Sequence, residues 1–256
     1  MITSSTNSQI QYVRKLQSKR RARQQERLFV IEGTRLLEEA LLAGCKPNLV
    51  LYTTGWGERF PQLIEELQAS GAQIELVVDT VLASCSDVET PQGVLAVLPM
   101  AETSMATTQD VALVIDRMAD PGNLGTVLRT ALAANVGTVY LTSGTVDVYN
   151  PKVVRAGMGA HFHLQLQEAS IEQIIEALGN LELWIAGARL GQVYHQVSWH
   201  KPIALAIGSE AQGIDPRLQA HAAGQVHIPI AANSESLNAA TAAAIILFEI
   251  QRQRGN

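Results

Sequence analysis

Apolar residues fall along this chain in two alternating rhythms. Short continuous runs at Leu28–Ile31, Leu49–Tyr52, Ile74–Val78 and Gly93–Leu98 predict strands. Between them the apolar positions move to helical spacing: Leu36, Leu37, Ala40 and Leu41, stopped by Gly44, and then Leu63, Ile64 and Leu67, with Pro61 at the start and Gly71 at the end. Residues 7–27 ahead of the first strand read as one polar, basic helix. Strands alternating with helices over about 100 residues predict a small α/β domain.

The same grammar resumes, more strongly, after Val111. Strands are expected at Val111–Ile115, Thr138–Thr142, Leu183–Ala188, Ile203–Ile207 and Val226–Ile230, and helices at Leu124–Ala134, near Lys152–Met158, at Ile171–Leu178 and from Leu237 to Arg252. These strands are apolar throughout rather than alternating, as expected of a parallel sheet covered on both faces. The stretch from Pro99 to Gln109 is rich in Thr, Ser and Ala and reads as a linker. The expected organisation is therefore an α/β domain over 1–99, a linker over 100–109 and a second, larger α/β domain over 110–256.

Composition narrows the function classes. With 256 residues, 47% apolar and 17% charged, the chain can bury two modest cores. Ala239–Leu247 is far short of the ~20 residues that span a bilayer, and the first 27 residues carry no apolar secretory core, so a cytoplasmic protein without membrane contact is expected. Cys45 and Cys85 read as reduced, buried thiols. The formal charge of −5 is unevenly spread: residues 1–35 hold eight Lys or Arg (Arg14, Lys15, Lys19, Arg20, Arg21, Arg23, Arg27, Arg35) against Glu26 and Glu32, a net +6 on an otherwise acidic chain. Such a basic arm suits RNA phosphates.

Candidate chemistry gathers in three segments, DPGNLGTVLRTA at 120–131, IALAIGSEAQGI at 203–214 and VHIPIAANSESLNAATAAA at 226–244. Each apolar run ends in a loop of Gly, Asn, Ser or Glu, and the strand ends of an open α/β sheet bring such loops to one crevice. In the first, turn residues lead into a helix whose stripe is Leu124, Val127, Leu128, Ala131 and Leu132, with Arg129 off the stripe. In the second, the glycines allow close backbone approach to a ligand and Glu210 is a lone carboxylate. In the third, Pro229 removes a backbone donor, and Asn233, Ser234 and Ser236 could serve only to cap the last helix. Neither a GxxxxGK[ST] loop nor GxGxxG is present. His161 and His163 lack the partners of a metal set, so no metal is expected.

The order and spacing of the three segments resemble the motifs of the SpoU (TrmH-like) branch of the SPOUT RNA methyltransferases. LFVIEGTRLLEEAL and TPQGVLAVL are similar to the ribosomal-protein-L30e-like substrate-binding domain that often precedes it. The resemblance implies a C-terminal SPOUT domain with a parallel sheet and a trefoil knot, a homodimer, and methyl transfer from S-adenosylmethionine to a ribose 2′-hydroxyl, in rRNA rather than tRNA. It implies Asn123, Arg129, Glu210, Ser236 and Asn238 as catalytic positions and Gly208, Ile228, Pro229 and Leu237 as cofactor-binding ones. Ile230, Ala239 and Ala240 depart from the residues usual in the family. A tRNA 2′-O-methyltransferase and a non-catalytic RNA-binding protein of the same fold are the alternatives, although the second would be expected to lack Arg129 or the Ser236–Asn238 triplet.

Overall fold

The computed structural model describes residues 1–101, 110–209 and 213–255. Most of the linker expected over 100–109, and Glu210, lie outside them. Two compact units are formed: Met1–Ala101 with Tyr149–Phe162, and Glu102–Val148 with His163–Asn256.

The first unit runs α1 (Ser8–Ser18), α2 (Arg20–Glu26), β1 (Leu28–Glu32), α3 (Thr34–Leu42), β2 (Leu49–Tyr52), α4 (Thr54–Arg59), α5 (Pro61–Ala69), β3 (Gln73–Leu76), α6 (Asp79–Ala83) and β4 (Val94–Pro99). Its four-stranded sheet has the order β1-β4-β2-β3, with β4 antiparallel to both neighbours and β2 parallel to β3. Ile10, Val13 and Leu16 of α1 are fully buried in a core shared with Val30, Leu51, Val77, Leu82, Leu95 and Val97. Burial of these aliphatic groups is what holds α1 to the sheet.

The basic segment departs from its expected form. Instead of one helix, Lys19 is extended (φ −121°, ψ 108°) and separates α1 from α2. Arg23, expected on an RNA-facing arm, is 3% exposed, and its guanidinium donates to the carbonyls of Leu16 and Gln17 at 2.5 and 2.9 Å. The carbonyls of a helix C-terminus lack intrahelical partners, and here a buried arginine supplies them. Lys15 is paired with Glu26 at 3.2 Å.

The second unit begins with β5 (Val111–Asp116), α7 (Pro121–Ala133) and β6 (Thr138–Thr142). The chain then contributes α8 (Pro151–Gly157) to the first unit, where the Phe29 ring lies 4.9 Å from that of Tyr149. It returns for β7 (Gln165–Ala169), α9 (Ile171–Leu178), β8 (Glu182–Gly187), β9 (Gln192–Val193), β10 (Ile203–Gly208), α10 (Pro216–His221), β11 (Gly224–His227) and α11 (Ala239–Arg254). All seven strands are parallel, in the order β7-β6-β5-β10-β8-β11-β9. The late strand β10 is inserted between β5 and β8, so its Ile203–Ile207 run is walled in on both edges and both faces. That burial is why the run is uninterruptedly apolar.

Among the described residues no helix is long and apolar enough to cross a membrane.

Candidate active site

The carboxyl ends of β8, β10 and β11 and the first turns of α11 enclose a cavity of about 390 Å³. Its walls are aliphatic, from Ile185, Ile207, Ile214, Ile230, Leu237 and Ile246, and the polar groups at its surface are Ser209, Gln219, Gln225, Ser236 and backbone. No charged side chain is among its described lining residues. A site of this kind recognises a ligand through backbone N–H and C=O groups and shape.

Each wall has a local cause. β10 ends at Gly208, where the chain turns back so tightly that a Cβ would lie 2.5 Å from the Gly213 carbonyl oxygen. The fold-back is held by Gly213 N–H donating to the Ser209 carbonyl at 2.9 Å. β11 stops at His227, short of the expected end at Ile230, because Pro229 cannot donate to a ladder. Ile228 and Ile230 are thereby released to line the cavity, while Pro229 itself is exposed and is not among the lining residues.

α11 starts at Asn238, whose Oδ1 accepts from the N–H groups of Ala240 and Thr241 at 2.9 and 3.3 Å. The cap of the last helix is thus Asn238, downstream of the Asn233–Ser236 cluster. Capping fixes which end of this amide is oxygen, so the other end must donate. It donates to Asn123 Oδ1 at 2.9 Å. Asn123 sits in the first turn of α7, where its own N–H is received by the Asp120 cap at 2.7 Å. Two helix N-termini, 115 residues apart in sequence, are therefore joined through the Asn238–Asn123 hydrogen bond.

Arg129 follows six residues along α7, about 9 Å up the axis at 1.5 Å per residue. The helix buries Leu124, Val127, Leu128 and Ala131 and leaves Arg129 exposed, without an ion pair among the described residues. Of the residues named from the motifs, Gly208, Ile228, Ser236 and Leu237 line the cavity, Asn123 and Asn238 meet beside α11, and Arg129 shares α7 with Asn123.

The wall formed by β8, from Ile185 to Ala188 with Leu190 beyond, was not named from the sequence. Its signal was present in two glycines. A Cβ on Gly187 would strike the Gln225 side chain, and one on Gly191 (φ +92°) the Gln225 backbone. His161 lies in a buried 3-10 turn, Ala160–Phe162, against Tyr149 and Phe29. Among the described residues no cluster of three or more His, Cys, Asp or Glu could hold a metal.

Residues 110–248 match the SpoU rRNA Methylase family, and residues 7–96 match the MRM3-like substrate binding domain. An uncharacterised tRNA/rRNA methyltransferase of Synechocystis sp. is 36% identical over 99% of this chain and 94% of its own length. The 23S rRNA (guanosine(2553)-2′-O)-methyltransferase RlmP of Bacillus subtilis is 33% identical over 98% of each chain. The crystal structure of an AdoMet-bound rRNA methyltransferase from Sinorhizobium meliloti superposes with a TM-score of 0.89 at 28% identity, covering 98% of this chain and 97% of the other. With the parallel sheet, the glycine-walled cavity and the three motif loops gathered in one unit, these matches identify the chain as a member of the SpoU rRNA methylase family.

Proposed function

We infer that this chain transfers a methyl group from S-adenosylmethionine to a ribose 2′-hydroxyl of ribosomal RNA. The observation that carries the reading is the Asn238–Asn123 hydrogen bond, which ties the cavity-lining third motif to the helix bearing Arg129. The cavity fits the cofactor: about 390 Å³ lies within the roughly 300–1,000 Å³ usual for small-molecule sites, and its aliphatic walls and backbone groups suit an adenosine. Gly208, Ile228 and Leu237 would hold it, with Ser236 at the edge. When bound, S-adenosylmethionine supplies a methyl group activated by a sulfonium centre.

The chain's own part is to align the ribose oxygen and stabilise its charge, and alignment alone supplies much of the acceleration. Arg129 is effectively always protonated, which makes it unsuitable as a base. It holds the neighbouring phosphate and stabilises the developing alkoxide, while Glu210 or water receives the hydroxyl proton. Ribosomal RNA is favoured over tRNA because the relative matched over 98% of both chains is named for a 23S rRNA nucleotide. A non-catalytic role is disfavoured by the presence of Arg129, Ser236 and Asn238.

Three further features belong to this reading. The insertion of β10 between β5 and β8 is compatible with a trefoil knot. A homodimer would cover the stripe of α11 that carries Thr241, Ala244, Ile245 and Phe248, the last 47% exposed, opposite the buried Ala243, Ile246, Leu247 and Ile250. A cytoplasmic location is supported by the Bacillus subtilis relative, which is named for a bacterial 23S rRNA nucleotide. The test is labelled methyl transfer to total rRNA from cells lacking the gene, against rRNA from cells carrying it. Acceptance by the first and refusal by the second is expected, and acceptance by neither would defeat the reading. Sedimentation as a 27.6 kDa species at micromolar concentration would remove the dimer.

A further inference from the structure

The first unit carries a cleft of about 580 Å³ lined by Thr34, Arg35, Glu38, Trp56, Arg59, Phe60, Pro91 and Gln92, with Gly55 at its rim. We propose that this cleft receives one unpaired nucleotide of the substrate RNA, its phosphate on Arg35 and Arg59 and its base against the Arg59–Phe60 stack. The proposal rests on the reading of the chain as an rRNA methyltransferase and adds where, and in what form, the RNA is held.

The cleft is rigidly built. Trp56 is buried, donates from its indole N–H to Thr34 Oγ1 at 2.9 Å, and lies 5.4 Å from the Phe60 ring. Gly93 (φ +86°) admits no side chain there, since a Cβ would lie 2.8 Å from Thr53 Oγ1 and 3.0 Å from the Trp56 Cβ. Gln92 Oε1 accepts from Thr34 N–H at 3.3 Å, which orients the Gln92 amide across the first turn of α3 and leaves its NH₂ free to donate.

Its charges are uncommitted. Arg35 and Arg59 are exposed, and neither guanidinium has a carboxylate partner among the described residues. Arg59 instead lies over the Phe60 ring at 5.3 Å. A guanidinium resting on an aromatic ring presents its outer plane for stacking and its edge donors for phosphate, the arrangement by which single-stranded RNA is gripped. The first turn of α3 has neither an acidic residue nor a capping side chain, and so adds to the positive potential.

Glu38 decides what kind of nucleotide fits. A carboxylate repels phosphate and accepts N–H, so it and the Gln92 amide are matched to a base edge. In a duplex that edge is already paired. The occupant is therefore an unpaired base presenting an N–H donor.

The test uses the full chain with S-adenosylmethionine and two RNA probes, a stem-loop with an unpaired loop and a fully paired duplex. Wild type should prefer the stem-loop. Arg35→Gln with Arg59→Gln should weaken stem-loop binding at least about tenfold and lower the slope of log affinity against log salt by roughly 0.7–0.9 for one lost phosphate contact. Glu38→Gln should weaken the stem-loop and spare the duplex. Both variants should keep the wild-type melting temperature and cofactor affinity. Unchanged affinity and slope in the double variant, equal binding of the two probes by wild type, or loss confined to a variant neutralising Lys19, Arg20 and Arg21 would each overturn the proposal. If instead wild type binds cofactor but methylates no rRNA from cells lacking the gene, the underlying reading falls and the cleft assignment with it.

Discussion

Two cavities of this protein solve recognition in opposite ways. The one in the second unit is closed by glycine turns, walled by aliphatic side chains and free of charge among its described lining residues. The one in the first unit is lined by two arginines without carboxylate partners, a glutamate and an aromatic pair. Backbone and shape suit a small molecule of fixed form, because nothing needs to adapt. Uncommitted charge on long side chains suits a polyanion whose phosphates vary in position, because the side chains can follow them. The contrast predicts that damage to one site should leave the other's ligand untouched.

The largest effect is expected at the point where the two tasks meet, the ribose. Arg129→Ala should reduce methyl transfer by about 100- to 1,000-fold, the cost usual for removing a donor that stabilises a developing oxyanion, with cofactor affinity nearly unchanged. Steady-state kinetics and calorimetry separate the two quantities. Parallel loss of both would make Arg129 a residue of the cofactor cavity.

Next in size is Gly208→Val. Its Cβ would lie 2.5 Å from the Gly213 carbonyl oxygen, which cannot rotate away as a side-chain tip can, so Gly208 and Gly213 must move apart. Cofactor affinity should fall about tenfold or more, equivalent to 1.4 kcal/mol, while the stem-loop RNA is bound as before. Equal losses for cofactor and RNA would end the separation of tasks.

A smaller effect is predicted at Asn238, which caps α11 and reaches Asn123. Asn238→Ala should cost about 1 kcal/mol, or roughly 2–4 °C in melting temperature. Asn238→Asp keeps the cap but removes the donor to Asn123. It should therefore restore stability without restoring activity, and recovery of both would show that the bond between the helices has no part in transfer.

The smallest effect concerns a carboxylate committed inside the second unit. Glu249 accepts from Arg252 through two bonds of 2.8 Å and from Gln253 at 2.8 Å, and the Arg252 bonds above all hold its carboxyl down at about 2. A carboxyl depressed on folding stabilises above its unfolded value, near 4.5, and loses that contribution as pH falls toward 2. Glu249→Gln should lower the melting temperature slightly at neutral pH and flatten its acid limb, and an acid limb identical to wild type would place the pairing in the denatured chain as well.

Much of this was legible in the residues, where local rules suffice. The helix Ile171–Leu178 has the expected limits because Ser170 and Gln173 form a reciprocal cap and Gly179 ends it. Strand Leu49–Tyr52 is likewise where its apolar run lies. Misread elements were those decided by tertiary partners. β7, QLQEA, alternates and carries polar residues, so a search for apolar runs passes over it. The six-residue α10 depends on an Asp215 cap whose own N–H donates to the buried Asp116 at 2.7 Å. The split of α1 from α2 depends on Arg23 turning inward, which charge counting reads as solvent-facing. At the cavity, motif loops announced Gly208, Ile228, Ser236 and Leu237, whereas the β8 wall arrives only through strand order.

The return of Tyr149–Phe162 to the first unit bears on synthesis. Domains usually fold as they emerge from the ribosome, N-terminal first. Here Phe29 waits for Tyr149 and Phe162, so the first unit cannot complete its packing until residue 162 has left the exit tunnel, by which time β5, α7 and β6 are already outside. The nascent chain must keep Phe29 unsatisfied through more than 100 residues of translation, an interval in which a chaperone that binds exposed aromatic side chains would find its substrate.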